Sequence, residues 1–199
     1  MRGPGAEDRD PRRLIAGILL AAGLSSRFGR QKLLEAWRGE PMIRWAARRL
    51  LDAGLRPVLV VVSEEPRFGT VLDSLPVRIF QNPAPEQGIS TSIGIGLRAV
   101  PAESAAAMIA VADQPYLTAE GLAELIRAFE PGRIVVPRYG EHRGNPPVFD
   151  RRFFAELLAL EGDHGGQAVV SAHPEAVVEI SLAVGMGADV DRPEDWPGY

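Results

Sequence analysis

The sequence predicts an α/β sandwich built on a mostly parallel sheet. Two patterns carry that expectation. Apolar runs of strand length alternate with helical stretches along the chain. The runs also lack polar alternation, as strands covered by helices on both faces do. A third observation locates function: a glycine-rich segment follows the first run, at the strand end where open α/β sheets bind ligands.

In chain order, Met1–Arg13 reads as a flexible polar arm, and 14–199 as one domain. Leu14–Ala21 is the first strand. Arg12-Arg13 before it imitates a targeting signal, but Glu7, Asp8 and Asp10 spoil a positive leader. The run is also far short of the ~20 residues of a membrane span. A cytoplasmic protein without membrane attachment is expected. Pro41 opens a helix through Met42, Trp45, Ala46 and Leu50, with Gly54 as its stop. Pro57–Val62, largely β-branched, and Val77–Phe80 are the next strands. Ala106–Val111 follows as another. Thr118 can cap Ala119–Phe129, whose Leu122, Leu125, Ile126 and Phe129 share a face. Arg133–Pro137 is a strand, and Asp150 can cap Arg151–Leu160. Tyr139–Phe149, rich in Gly and Pro, reads as a loop or short ribbon outside the main sheet. Ala176–Ile180 reads as a late strand, with an antiparallel placement open.

Composition excludes several classes. The 199 residues carry 22 Lys plus Arg, 26 Asp plus Glu, no Cys and a net charge of −4. A chain this long can bury about 70% of its unfolded surface, enough for a sizeable core. The absence of cysteine excludes a disulfide scaffold or a thiolate metal site. The acidic balance argues against a dedicated nucleic-acid binder. Lys32 is the only lysine. Coding bias explains a general preference for arginine, but not the position of the exception.

That exception lies in Ala21-Ala-Gly-Leu-Ser-Ser-Arg-Phe-Gly-Arg-Gln-Lys32. Glycines let the backbone close on a phosphate chain, and successive N–H groups form an anion nest. Arg27 offers a fork of donors, and Lys32 a compact mobile charge. The spacing is not that of a P-loop. Gly94-Ile-Gly-Leu-Arg-Ala99 matches a dinucleotide fingerprint, but its apolar spacing is helical and no strand precedes it. The plain alternative for the loop is a strand-to-helix turn with solvated charges.

Leu20-Ala-Ala-Gly-Leu-Ser-Ser-Arg-Phe-Gly-Arg-Gln-Lys32 resembles the signature loop of the nucleotidyltransferases that activate molybdenum cofactor. The likeness runs from Leu14 to Trp196, with motifs in family order. It implies a three-layer, Rossmann-like (glycosyltransferase-A-like) nucleotidyltransferase fold with a short ribbon insertion. It also implies that Leu20, Ala21, Ala22, Gly23, Ser25, Ser26, Arg27 and Lys32 hold the nucleotide. Family members with Leu-Ala-Ala-Gly use CTP and those with Leu-Ala-Gly-Gly use GTP. The substrates implied are therefore CTP (or GTP) and molybdenum cofactor, with a molybdoenzyme or its chaperone as partner.

Asp113 leaves a buried strand at the same sheet edge, where a carboxylate can hold Mg²⁺. An Asp turn before Pro115 is the bland alternative. The family places a metal ligand at this Asp-x-Pro. Asp191 with Glu194 reads locally as a helix-capping box, whereas the resemblance makes Asp191 the second metal-binding acid, ahead of Asp189. Asn82 can read a base or ribose. Gly88, Ser90 and Ser92 sit where a helix begins and its N–H groups point outward, against the reading of an ordinary Ser-capped helix. On the acceptor side the family likeness points to Arg143, Gly144 and Asn145, and to Asp163 and Gly165. Here Asn145 stands for the usual His, and Gly166-Gln167 for Ala-Arg. His142, His164 and His173 lack metal-ligand spacing.

The reaction implied is attack of a phosphate oxygen on the α-phosphorus of CTP, releasing pyrophosphate, with Lys32, Arg27 and Asp113 as catalytic residues. Alternatives are guanylyl transfer, transfer to another small phosphate such as a sugar phosphate, or a non-catalytic nucleotide-binding module. The last should have lost Lys32, Asp113 or Asp191, and the sequence retains all three.

Overall fold

The computed structural model describes residues 14–23, 28, 31–190 and 195. The expected arm Met1–Arg13 lies outside them. β1 (Ile15–Ala21) is buried along its whole length and forms the middle of the sheet. It pairs in parallel with β4 (Val58–Val62) on one side and β6 (Ala106–Val111) on the other. β5 (Val77–Gln81) continues the parallel set beyond β4. Beyond β6 the order runs β9 (Val148–Asp150), β7 (Ile134–Tyr139) and β10 (Val177–Leu182). A separate small hairpin joins β2 (Ala36–Trp37) to β3 (Glu40–Pro41).

Two expectations change here. β10 is parallel to β7. Val148 and Phe149 do not lie in an outside ribbon, because β9 enters the main sheet antiparallel to both β6 and β7. Both residues are fully buried, so their apolar side chains decide the placement over the turn signals before them. Only β8 (His142–Arg143), paired with the end of β7, forms the short ribbon.

Side-chain alternation along β1 divides the core into two layers. Leu19 faces α1 (Met42–Asp52), α2 (Arg67–Leu72) and α4 (Ala119–Arg127), packing with Met42, Ile43, Phe68 and Leu122. Ile18 and Leu20 face the opposite layer of α3 (Ile89–Arg98), α5 (Phe154–Leu158) and α6 (Gln167–Ala172), with Ile93, Leu97, Leu157 and Val170. A strand clothed on both faces must be apolar at every position, which is why β1 and β4 show no alternation. Each fully buried Leu or Ile contributes about 1.5–3 kcal/mol of transfer free energy.

The caps follow the sequence. Thr118 Oγ1 accepts from the Gly121 N–H at 3.1 Å at the start of α4. Asp150 Oδ1 accepts from the Arg152 N–H at 2.9 Å, although a 3₁₀ turn, Arg151–Phe153, precedes α5. Pro41 sits just before α1, which begins at Met42. Gly94–Arg98 lies inside α3, so the dinucleotide-like match is helical. Among the described residues no helix is long and apolar enough to cross a membrane.

Candidate active site

Parallel pairing brings the ends of β1 and β6 to one edge. Leu20 is in register with Val111, and the Ala112 N–H donates to the Leu20 carbonyl at 3.0 Å. The chain therefore leaves β6 into Asp113 beside the Leu20–Gly23 segment. From beneath, the Trp45 indole N–H donates to the Pro115 carbonyl at 3.0 Å, fixing the turn that carries Asp113.

A cavity of about 270 Å³ opens at this edge. Leu20, Ala21, Ala22 and Gly23 form one wall, Val111–Asp113 the floor, and Pro85, Gly88, Ile89 and Ser92 the opposite wall. Lys32 and Asp163 also reach it. The lining is largely apolar with a few convergent polar groups, the usual character of a small-molecule site.

Lys32 begins a 3₁₀ turn, Lys32–Leu34, and is only 9% exposed. Its ammonium donates to Asp113 Oδ2 and to the Val190 carbonyl, each at 2.8 Å. The Val190 N–H in turn donates to the Asp113 carbonyl at 2.9 Å. Sequence positions 32, 113 and 190 thus meet at one point. A carboxylate oxygen and a carbonyl oxygen converge there on one cation, and such hard oxygens suit Mg²⁺ or Mn²⁺. Among the described residues no three acids or histidines form a metal cluster. Remaining ligands would come from phosphate oxygens, water or residues beyond that set. Ser25, Ser26, Arg27 and Asp191 lie outside the described residues.

Asn82 is 1% exposed and its amide is fully engaged. It donates to Thr91 Oγ1 and Ser92 Oγ, both at 2.8 Å, and its Oδ1 accepts from the Ala84 N–H at 3.0 Å. In this arrangement it ties β5 to the start of α3. Gly88 precedes α3 with φ +103° and ψ 170°, a conformation open to glycine. A Cβ there would also overlap the Gly162 carbonyl group. The Ser90 N–H donates to that same carbonyl at 3.2 Å. Because successive helix positions turn by 100°, Ser92 reaches the cavity wall while Ser90, buried, faces a cleft with Asn82 and Leu160.

The two acceptor segments separate. Asp163 lines the cavity, and Gly165 lies beside Ile89. Arg143, Gly144 and Asn145 do not line it: they lie in and just after the β8 ribbon, which continues the line of β9 along the same edge of β7, at the Arg138–Tyr139 end. Arg143 is paired at the surface with Glu179, Nε to Oε1 2.7 Å. Gly144 and the Asn145 carbonyl pack on Tyr139, whose hydroxyl donates to that carbonyl at 2.7 Å. Burial, followed by the Asp189 carboxylate, pushes the Tyr139 phenol well above its ordinary value and keeps it a neutral donor.

Sequence reasoning did not find Tyr139, Gln114 or Gly187, which brace the segment leading to Val190. Nothing local marked them, because their partners are distant in sequence. Pro85 and Ile89 were also unmarked, as apolar residues in a segment scanned for polar groups.

Comparison with known proteins agrees with this geometry. Residues 17–177 match the MobA-like NTP transferase domain. The chain is 29% identical to nicotine blue oxidoreductase of Paenarthrobacter nicotinovorans, over 90% of this chain and 93% of that protein. It is 32% identical to a probable molybdenum cofactor guanylyltransferase of Opitutus terrae, over 64% of this chain and 61% of that one. The crystal structure of Rv0371c from Mycobacterium tuberculosis superposes with a TM-score of 0.82 at 24% identity, covering 92% of this chain and 95% of that one. A manganese complex of Rv0371c superposes with a TM-score of 0.73 at 25% identity, covering 92% and 96%.

Proposed function

The chain belongs to the MobA-like NTP transferase family, and from that premise we propose that it transfers CMP from CTP to the terminal phosphate of molybdenum cofactor, releasing pyrophosphate. The observation that carries this reading is the Lys32 ammonium, held at 2.8 Å from both Asp113 Oδ2 and the Val190 carbonyl at the mouth of the cavity. A cation placed beside an acid and next to a main-chain cradle suits phosphoryl chemistry, where catalysis is mainly positioning and electrostatics.

In the proposed reaction an acceptor phosphate oxygen forms a bond to the α-phosphorus. The α–β anhydride bond breaks, and pyrophosphate leaves with the electron pair. A phosphate monoester is already ionised near neutral pH, so no general base is needed. The Leu20–Gly23 backbone receives the base, with Ser25 and Ser26 in the phosphate loop. Gly88 shapes the opposite wall, and Asn82 and Ser90 hold it in place. Lys32 and Arg27 neutralise charge on the α-phosphate and the departing pyrophosphate. Asp113 and Asp191 hold a divalent ion, which when bound supplies Lewis-acid neutralisation of the phosphates. The manganese complex of a structural neighbour supports such a site. Asp163 and Gly165 receive the acceptor at the cavity, and the ribbon residues Arg143, Gly144 and Asn145, outside its lining, receive only the part of the acceptor that extends beyond it. Its nucleotide product is then passed to a molybdoenzyme or its chaperone.

CTP is favoured by Ala22, which lines the cavity and is 4% exposed; its methyl crowds a purine. The relative named as a guanylyltransferase makes GTP the competing nucleotide. The test is pyrophosphate release from CTP and from GTP, side by side, with Mg²⁺ and molybdenum cofactor. Turnover with CTP and formation of the cytidylyl adduct is expected. Faster turnover with GTP overturns the base assignment, and no release from either overturns the reaction.

A further inference from the structure

Tyr139 closes β7, and its ring packs against two glycines. One is Gly144, just past the ribbon, where a Cβ would stand 2.6 Å from ring atom Cε2. The other is Gly187, at the end of the 3₁₀ turn Val184–Gly187, where a Cβ would overlap the ring outright. From Gly187 the chain runs to the phosphate centre through three hydrogen bonds. Gln114 Nε2 donates to the Gly187 carbonyl at 3.3 Å, and the Val190 N–H donates to the Asp113 carbonyl at 2.9 Å. Lys32 then donates to the Val190 carbonyl at 2.8 Å.

We propose that Tyr139 is a positioning residue: its ring sets the height of a Gly187–Val190 strap, which holds Lys32 and Asp113 in their mutual geometry. The catalytic consequence rests on the nucleotidyl-transfer reading; the steric one does not. Close-packed contacts of this kind give little. A methyl inserted between ring and strap must lift the strap, because the ring is backed by the buried core of β7. Losing the Val190 carbonyl takes from the ammonium one of the acceptors that fix its position beside Asp113. Lys32 is then misplaced for phosphate and competes more strongly with any divalent ion for the carboxylate. The ring also supports Gly144 and the Asn145 carbonyl, so strap and ribbon share one brace.

The test compares the wild type, Gly187→Ala, and the double variant Tyr139→Leu with Gly187→Ala, in which the smaller side chain makes room for the methyl. Amide exchange across 186–190, Mn²⁺ affinity without nucleotide, and kcat and KM for CTP are measured. Gly187→Ala should expose the Val190 amide, weaken Mn²⁺ binding several-fold and lower kcat about ten- to hundredfold, with KM for CTP little changed. The double variant should recover protection and much of kcat. Native protection and kcat in Gly187→Ala overturn the proposal. So does an exposed Val190 amide with kcat and Mn²⁺ affinity unchanged, or no recovery in a double variant that keeps native protection in β1. Absence of pyrophosphate release by the wild type defeats the nucleotidyl reading alone, and exchange with Mn²⁺ affinity then decides the role of Tyr139.

Discussion

Lys32 Nζ lies 2.8 Å from Asp113 Oδ2, joining residues 81 positions apart. The pair is partly buried, and the same ammonium reaches the Val190 carbonyl. Such charge-assisted bonds are short and directional. The geometry favours a slim ammonium. A guanidinium is planar and wider, and would have to fit between a carboxylate and a carbonyl already drawn to a single point.

Lys32→Arg should therefore preserve charge and fold while kcat falls on the order of 10²-fold, as for loss of one preorganised donor. Steady-state pyrophosphate release and a thermal melt check this together. Near-wild-type turnover would mean that the one lysine in this arginine-rich chain is an accident of coding.

Ala22 lines the cavity wall next to Gly23. Removing its methyl enlarges the space for a base without touching Lys32 or Asp113. Ala22→Gly should shift the ratio of kcat/KM for GTP over CTP upward by about tenfold or more, in the range that one methyl in a pocket commands. Competition between the two nucleotides measures it, and an unchanged ratio removes Ala22 from base selection.

The strands, their mostly parallel arrangement and the edge carrying Asp113 were legible because burial on both faces forces continuous apolar runs. β9 was not: Val148 and Phe149 follow Pro146-Pro147, and their pairing with β6 depends on Met108 and Ala107, about 40 positions earlier. In the site, Lys32 announced itself as the one lysine, set in the glycine-rich loop, and Asp113 as an acid just past a strand end. Asn82 announced itself as a polar group, yet its contacts with Thr91 and Ser92 turn it inward. The brace of Tyr139 on Gly187 had no local signal, since a glycine chosen for a neighbour's ring looks like any other.

His173 gives a pH dependence remote from the cavity. Its Nε2 lies 2.7 Å from Glu156 Oε2, and its Nδ1 3.4 Å from Glu175 Oε1. The hydrogen bond to Glu156 is the main cause that raises its value above the ordinary 6.5, with burial opposing. The folded state thus binds the proton more tightly than the unfolded chain. That stabilisation is complete below 6.5 and fades as pH rises through the elevated folded value. Melting temperature should fall over that interval in the wild type, and the fall should be smaller in His173→Gln. Parallel curves for the two proteins would refute it.

Gly88 meets two demands at once: φ of +103°, and contact so close to Gly162 that no Cβ fits. The conformation costs a non-glycine residue about 1–3 kcal/mol, and the overlap adds a similar amount. Gly88→Ala should lower stability by about 3 kcal/mol in urea unfolding. It should also push the Gly162–Gly165 loop, and with it Asp163, away from the cavity. Gly165→Ala is the matched control. There an added Cβ meets only Ile89 Cγ2, at an ordinary 3.9 Å, so its unfolding midpoint should stay close to wild type. Equal midpoints for Gly88→Ala and the wild type would show that the two loops are not locked together.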